Sequence, residues 1–298
     1  MNTTPDPRWQ FQAAMLAAGV GAPDQIQADG LLHRFRAEGD RPGKRSGWYI
    51  LHTDGRMAGA YGSWRLGIRE TWCSGGDGRT LTKAERDRLA AEIARARAKD
   101  EAERDRAHGV TAAMARRRWS KARPADPSHA YLLAKAVPPL DLRQEGRLLL
   151  APLLDMGGTL WSLQTIAPDG QKLFLKGGRV AGLSTPIGDL EAPGRVLICE
   201  GFSTGATLHQ QSGSAVLCAM NCRNLKPVAL AARQRWPEAD IVICADDDRH
   251  TAGNPGLTAA REAAAAIGGR LAVPQFPPGV DGSDFNDLAR ALAGRAAA

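Results

Sequence analysis

The chain has 298 residues, 43% hydrophobic and 24% charged, with a formal net charge of +7. That length suits two domains, or one large domain with an appendage, and the balance excludes a disordered or fibrous protein. No apolar run is long enough to cross a bilayer, and the start MNTTPDPRWQFQ lacks the basic and apolar regions of a secretory signal, so a cytoplasmic location without membrane attachment is expected.

Residues 1–80 hold a helix candidate, WQFQAAMLAAG, and then LLHRFRAEG, SGWYILHTDGRMAGAYGSWRLG and RETWCS. In these last segments aromatic and β-branched residues alternate with Gly and Asp-Gly turn signals, as in hairpins. A β-rich N-terminal module is therefore expected. Residues 81–118 are rich in Ala, Arg, Glu, Lys and Leu without a strong apolar stripe, which predicts a solvated helix acting as a spacer. Residues 81–123 carry 13 Lys/Arg against 7 Asp/Glu, whereas residues 191–298 carry 10 against 11. A basic segment beside a neutral region points to a polyanionic partner such as nucleic acid. The two prolines of ARPADPSH end this linker, set at 81–127.

Residues 128–190 read as a short helix, HAYLLAKAV, and three strands, GRLLLAPLLD, GTLWSLQTIAP and QKLFLKGG. From residue 191 strands and helices alternate. RVLICE, SAVLCAM, DIVICAD and RLAVPQF are separated by STGATLHQQSG, LKPVALAARQRW and LTAAREAAAAIG, and SDFNDLARALAG closes the series. Continuous apolar strands divided by helices predict a parallel sheet covered on both faces. Of five cysteines, Cys199 and Cys244 lie inside such strands, and the CAMNC pair lacks the second Cys/His pair a zinc site needs.

In such a sheet, ligands sit beyond the carboxyl ends of the strands. There the chain places Glu200, then Asp246, Asp247 and Asp248, then Asp281, Asp284 and Asp287. Like charges that close repel, and each raises the pKa of its neighbours unless a cation intervenes. Mg²⁺ takes oxygen ligands from a few carboxylates and shares its other positions with water and phosphate oxygens, so a nucleotide-handling metal site is expected. Asp246 and Asp248 are expected to point into one loop mouth, and Asp247 elsewhere. For Asp284 the competing role is a helix cap. Gly201 and Gly205 allow a tight entry into the helix after Glu200, and TAGNPG leads to a helix start that can receive phosphate.

The motifs CEGFSTG, CADDDRHTAGNPG and GSDFNDLAR resemble the Toprim domain, the metal-binding catalytic domain of bacterial-type primases and topoisomerases. They resemble most closely the Toprim primases of phages and plasmids, over residues 195–290. The segment RLLLAPLLDMGGTLWSLQTIAPDGQKLFLKGG resembles the small subdomain ahead of Toprim in primases, and residues 30–75 resemble the N-terminal module of phage primase proteins. The fold class implied is α/β: a Toprim domain with a parallel sheet flanked by helices (191–298), preceded by a primase-like subdomain (128–190), the linker and the N-terminal module.

The resemblance implies Glu200 as general acid/base or metal helper, Asp246 and Asp248 as the metal-binding Asp-x-Asp pair, and Asp284 as the later acid, with Mg²⁺ or Mn²⁺ as cofactor. It implies that Lys172, Lys176 and Arg179 face template DNA and nucleotide, with Arg143 and Arg147 as weaker candidates. Thr204 and Asn286 stand where many primases carry further acids, with Asp287 a possible substitute. The activity implied is synthesis of short primers on single-stranded DNA from nucleoside triphosphates, alongside a separate helicase, since no Walker motif or zinc ribbon is visible. The alternatives are a Toprim nuclease and a non-catalytic DNA-binding replication accessory. A topoisomerase is disfavoured because Tyr49, Tyr61 and Tyr131 all lie outside the Toprim region.

Overall fold

The computed structural model describes residues 6–53, 57–74 and 83–296, and the chain divides into two units, residues 1–104 and 105–298. Among the described residues no helix is long and apolar enough to cross a membrane.

In the first unit, helix α1 (Pro7–Ala17) starts on Asp6, whose carboxylate accepts from the Arg8 N–H at 2.9 Å. Strands β1 (His33–Phe35), β2 (Gly47–His52), β3 (Ala58–Ser63) and β4 (Ile68–Cys73) form an antiparallel sheet in chain order. The Asp54–Gly55 turn expected between β2 and β3 lies outside the described residues. Alternation sorts the side chains by face. Phe35, Tyr49, Leu51 and Tyr61 pack on Phe11 and Met15 of α1, while Trp48, Ile50 and Ala60 form a second cluster. The loop between β1 and β2 is tied down by buried Asp40, which accepts from the amides of Ser46 and Ala37 and from Arg65. Those bonds, Ser46 first, hold its carboxyl down at about 2.

Helix α2 (Lys83–Lys121) runs 39 residues and crosses from the first unit into the second. Its last turns are more than a solvated spacer. Thr111, Ala112 and Ala115 are buried, and Ala115 packs with Leu150, Leu160 and Leu163. The stripe is built from small residues, whose weak hydropathy hides it from pattern reading.

The second unit stacks two sheets. Strands β5 (Arg123–Pro124), β6 (Arg143–Glu145), β7 (Leu148–Leu154), β8 (Leu160–Ile166) and β9 (Lys172–Phe174) form an antiparallel sheet in chain order, with helix α3 (Ala130–Lys135) after β5. Its Leu150 and Leu163 face α2, while Leu149, Ala151 and Ile166 face the other way.

The second sheet holds β10 (Thr185–Ile187), β11 (Arg195–Cys199), β12 (Ala215–Cys218), β13 (Asp240–Cys244) and β14 (Arg270–Ala272), in the order β10-β12-β11-β13-β14. Strands β11 to β14 are parallel, and β10 adds an antiparallel edge. That edge is absent from the sequence reading, because three residues around Pro186 carry no strand pattern and proline is tolerated only at such an edge. Helices α4 (Phe202–Ser212), α5 (Leu225–Arg235), α6 (Pro255–Ile267) and α7 (Phe285–Ala296) complete the unit. Ile198 and Ile243 face α5 and α6, in a cluster with Val228, Ala229, Ala260 and Ala263. Leu197, Cys199, Val242 and Cys244 face the other way, in one cluster with Phe202 and Ala206 of α4 and with Leu149, Ala151 and Ile166 of the first sheet. The two sheets thus share a core. All five cysteines are free thiols.

Candidate active site

Glu200 follows β11 directly and Asp246 follows β13 by two residues, so adjacent parallel strands release both acids at the same sheet edge. Gly205 lets α4 lie this close, since a Cβ there would stand 2.3 Å from the Cys218 sulfur. The Asp246 carboxyl is pushed up to about 8, first by burial, then by Glu200, Asp284 and Asp248, with Lys172 opposing. Glu200 is raised by burial first and then by Asp248, against Lys172 and a hydrogen bond from the Cys222 N–H. Four acids and one lysine therefore act on each other as one electrostatic cluster. Asp246 Oδ1 is enclosed and has no hydrogen-bond partner. Leaving a buried polar atom unpaired costs about 1–3 kcal/mol.

The other acids are more fully engaged. Asp248 Oδ2 accepts from the Gly256 N–H at 3.0 Å, so the start of α6, expected to receive phosphate, holds this chain's own carboxylate. A Cβ on Gly256 would stand 2.7 Å from the Asp246 carbonyl oxygen, so only glycine permits the approach. Asp247 turns away to Asn254 at 2.7 Å and Arg249 at 3.5 Å. Asp284 caps α7, with Oδ1 accepting from the Asp287 N–H at 2.8 Å, and its Oδ2 accepts from the Thr204 hydroxyl at 3.1 Å. Asp284 is thus both a cap and a member of the cluster. Asp287 pairs with Lys135 at 3.3 Å, and exposed Asp281 with His250 at 3.2 Å. Asn286 points inward, donating to the Lys135 carbonyl and the Thr207 hydroxyl.

Residues 195–294 match the family model of the Toprim domain. The chain carries a Toprim domain. It is 33% identical over 287 residues to a DNA primase TraC of Escherichia coli, an alignment covering 91% of this chain and 20% of that protein. A second DNA primase TraC of Escherichia coli is 36% identical over 261 residues, covering 84% of this chain and 24% of the relative. The chain thus spans about a fifth to a quarter of the length of these relatives. Among solved structures, the primase fragment of the bacteriophage T7 primase-helicase protein has a TM-score of 0.43 at 18% identity, covering 55% of this chain and 70% of that one.

Around the Toprim acids, the three basic residues singled out from the sequence separate. Lys172, at the start of β9, acts on both Glu200 and Asp246, and its Nζ lies over the Tyr131 ring at 5.8 Å. Lys176 is exposed and its carbonyl accepts from the Thr111 hydroxyl at 3.4 Å. Arg179 stacks over Trp161 at 5.2 Å, and its charge lowers Asp155 rather than the Toprim acids. Arg143 is likewise engaged, stacked over Trp119 at 4.8 Å and donating to its carbonyl at 2.6 Å. Arg147 is exposed.

Among the described residues, no group of three or more His, Cys, Asp or Glu side chains could hold a metal ion by itself. Asp248 and Asp284 are drawn off by α6 and α7, which leaves an open arrangement. Such a set fits Mg²⁺, which uses one or two protein carboxylates and fills its remaining positions with water and substrate phosphates. The unpartnered Asp246 Oδ1 and the raised Glu200 carboxyl beside it are what an ion would relieve. Residue type gives no sign of the Met220 amide that holds the Glu200 carbonyl at 2.6 Å, because a backbone N–H leaves no mark on it. CAMNC is the only trace of that turn, and there it reads as an incomplete zinc pair.

Proposed function

We propose that this chain is the catalytic core of a DNA primase, making short oligonucleotide primers on single-stranded DNA from nucleoside triphosphates. The observation that carries the reading is the enclosed, unpartnered Asp246 beside Glu200 and Lys172, within a Toprim domain. Asp246 and Asp248, with Glu200 and Asp284 alongside, would hold Mg²⁺ or Mn²⁺, which would supply positive charge to the clustered acids and the substrate phosphates. Glu200, whose carboxyl burial raises above its ordinary value, is suited to take the proton of the attacking 3′-hydroxyl. That oxygen bonds to the α-phosphorus of the incoming nucleotide, and pyrophosphate leaves with the electron pair of the broken bond. Lys172 faces the same acids and would orient the triphosphate.

Lys176 and Arg179, on the segment after β9, would add template contacts whose strength falls with salt. In this reading residues 191–298 supply the acids, 128–190 the basic template-facing surface, 81–127 the linker and 1–80 an accessory module. A replicative helicase is the partner proposed for the assembled protein.

The test is incubation with single-stranded templates, labelled ribonucleotides and Mg²⁺ or Mn²⁺. Short products that vanish in Asp246→Asn support synthesis. Template shortening would assign a nuclease, and salt-sensitive binding alone would assign an accessory, the reading that Thr204 and Asn286 favour by replacing acids.

A further inference from the structure

The turn after β12, residues 219–224, is held in a shape it would not adopt alone. Met220 sits at φ 66°, a left-handed conformation that a bulky side chain disfavours and that surrounding structure must impose. The restraints are identifiable. The Met220 N–H donates to the Glu200 carbonyl at 2.6 Å, and the Ala219 N–H to the Cys199 carbonyl at 2.8 Å. Gln164, in the middle of β8 and 2% exposed, donates from Nε2 to the Met220 carbonyl at 3.3 Å. Asn224, also buried, donates from Nδ2 to the Ala219 and Leu183 carbonyls and accepts the Gly182 N–H at Oδ1, each at 2.8 Å. So held, the turn fixes the Glu200 backbone through the Met220 N–H, two residues before Cys222.

Gln164 is only half satisfied where it lies. Its Oε1 is buried without a partner, where an apolar side chain of the same volume would leave no polar atom stranded. What the amide supplies is a donor to a carbonyl one bond network away from Glu200. Strands β8 and β9 are paired with Gln164 opposite Phe174 and Ile166 opposite Lys172, so one strand pair fixes both the turn and the lysine.

We propose that Gln164 and Asn224 are positioning residues for Glu200, holding the 219–224 turn whose Met220 N–H anchors the Glu200 carbonyl. The kinetic arm of the test rests on the primase reading, and the thiol arm does not. Gln164→Met keeps the volume and removes both amide atoms. Loss of the stranded Oε1 offsets loss of the bond to the Met220 carbonyl, so its melting temperature should change little. Its kcat for primer synthesis should fall roughly ten- to hundredfold, the scale of a small misplacement of a reacting group. The nucleotide KM should move by less than about twofold. Alkylation of Cys222 by iodoacetamide, read by peptide mass spectrometry with Cys73 as internal standard, should accelerate several-fold as the turn loosens.

Asn224→Asp, which keeps the acceptor and loses both donors, should act in the same direction. If Gln164→Met does not fold, Gln164→Leu removes the donor without adding an ionisable group and carries the same expectation. Wild-type kcat together with a wild-type Cys222 alkylation rate in a folded variant would overturn the proposal. A parent protein that makes no primer would overturn the primase reading instead, and the alkylation rates would still decide whether the turn is held by Gln164.

Discussion

Strand β13 begins at one aspartate and ends near another, and the two meet opposite surroundings. Asp240, at its start, receives Arg195 Nε at 2.8 Å and Arg270 Nε at 2.9 Å, and these guanidiniums, Arg195 first, hold its carboxyl below the usual range. Asp246, past its end, is enclosed among other acids with one lysine opposing them, and its carboxyl rises to about 8. One aspartate is satisfied by the fold, and the other is left wanting a cation the fold does not provide. Residue type and strand are the same, so the difference lies in which neighbours each end is given.

The sharpest way to break the comparison is Asp246→Asn. It should reduce primer synthesis by about a thousandfold or more, the scale at which electrostatic stabilisation of a transition state is lost. The same substitution should leave the ion-free protein more stable at pH 8. Between the unfolded carboxyl's pKa, about 4, and about 8, the folded state keeps a proton that the unfolded state has released, so stability falls as pH rises. Thermal melts of the ion-free parent should therefore decline from pH 5 to pH 8, Mn²⁺ should restore the loss, and Asp246→Asn should show a flatter profile. A parent whose melting temperature rises over that range would contradict the burial of an unpaired carboxyl.

Lys172→Met comes next. It removes the cation that opposes the cluster, so the ion-free melting temperature at pH 8 should fall further, and the nucleotide KM should rise by about tenfold, one lost charge contact. Asp284→Ala should be milder for the fold, costing about 1 kcal/mol of helix capping by denaturant melts, with Asp284→Asn recovering most of it. Smallest should be Asp240→Asn, with primer synthesis unchanged and little change in melting temperature at neutral pH. Its contribution has the opposite sign of pH dependence, present above the unfolded pKa and lost as pH falls through the depressed folded one.

Much of this was legible in the residues because it rests on patterns that residue type records. Apolar runs such as VLIC and IVIC declared β11 and β13, and the strand-end rule led from them to Glu200 and Asp246. What escaped was carried by geometry. The three residues of β10 owe their place to an open sheet edge, and the buried stripe of α2 is alanine. Asp248 is diverted by the Gly256 amide, a bond that no spacing announces. Asn286 stands where the resemblance implies an acid, yet its side chain lies in the interior between α3 and α4, where a carboxylate would be stranded. Arg179 met an indole nearby, and a one-dimensional reading cannot see which ring a guanidinium will find.

The continuous apolar layer between the antiparallel sheet and the Toprim sheet has a practical corollary. Severing the chain at residue 190 would strand Leu197, Phe202 and Val216 in water on one fragment and Leu149 and Ile166 on the other. The acid-bearing half is therefore not portable. Grafting it elsewhere, or inheriting it alone, would require its neighbour to travel with it.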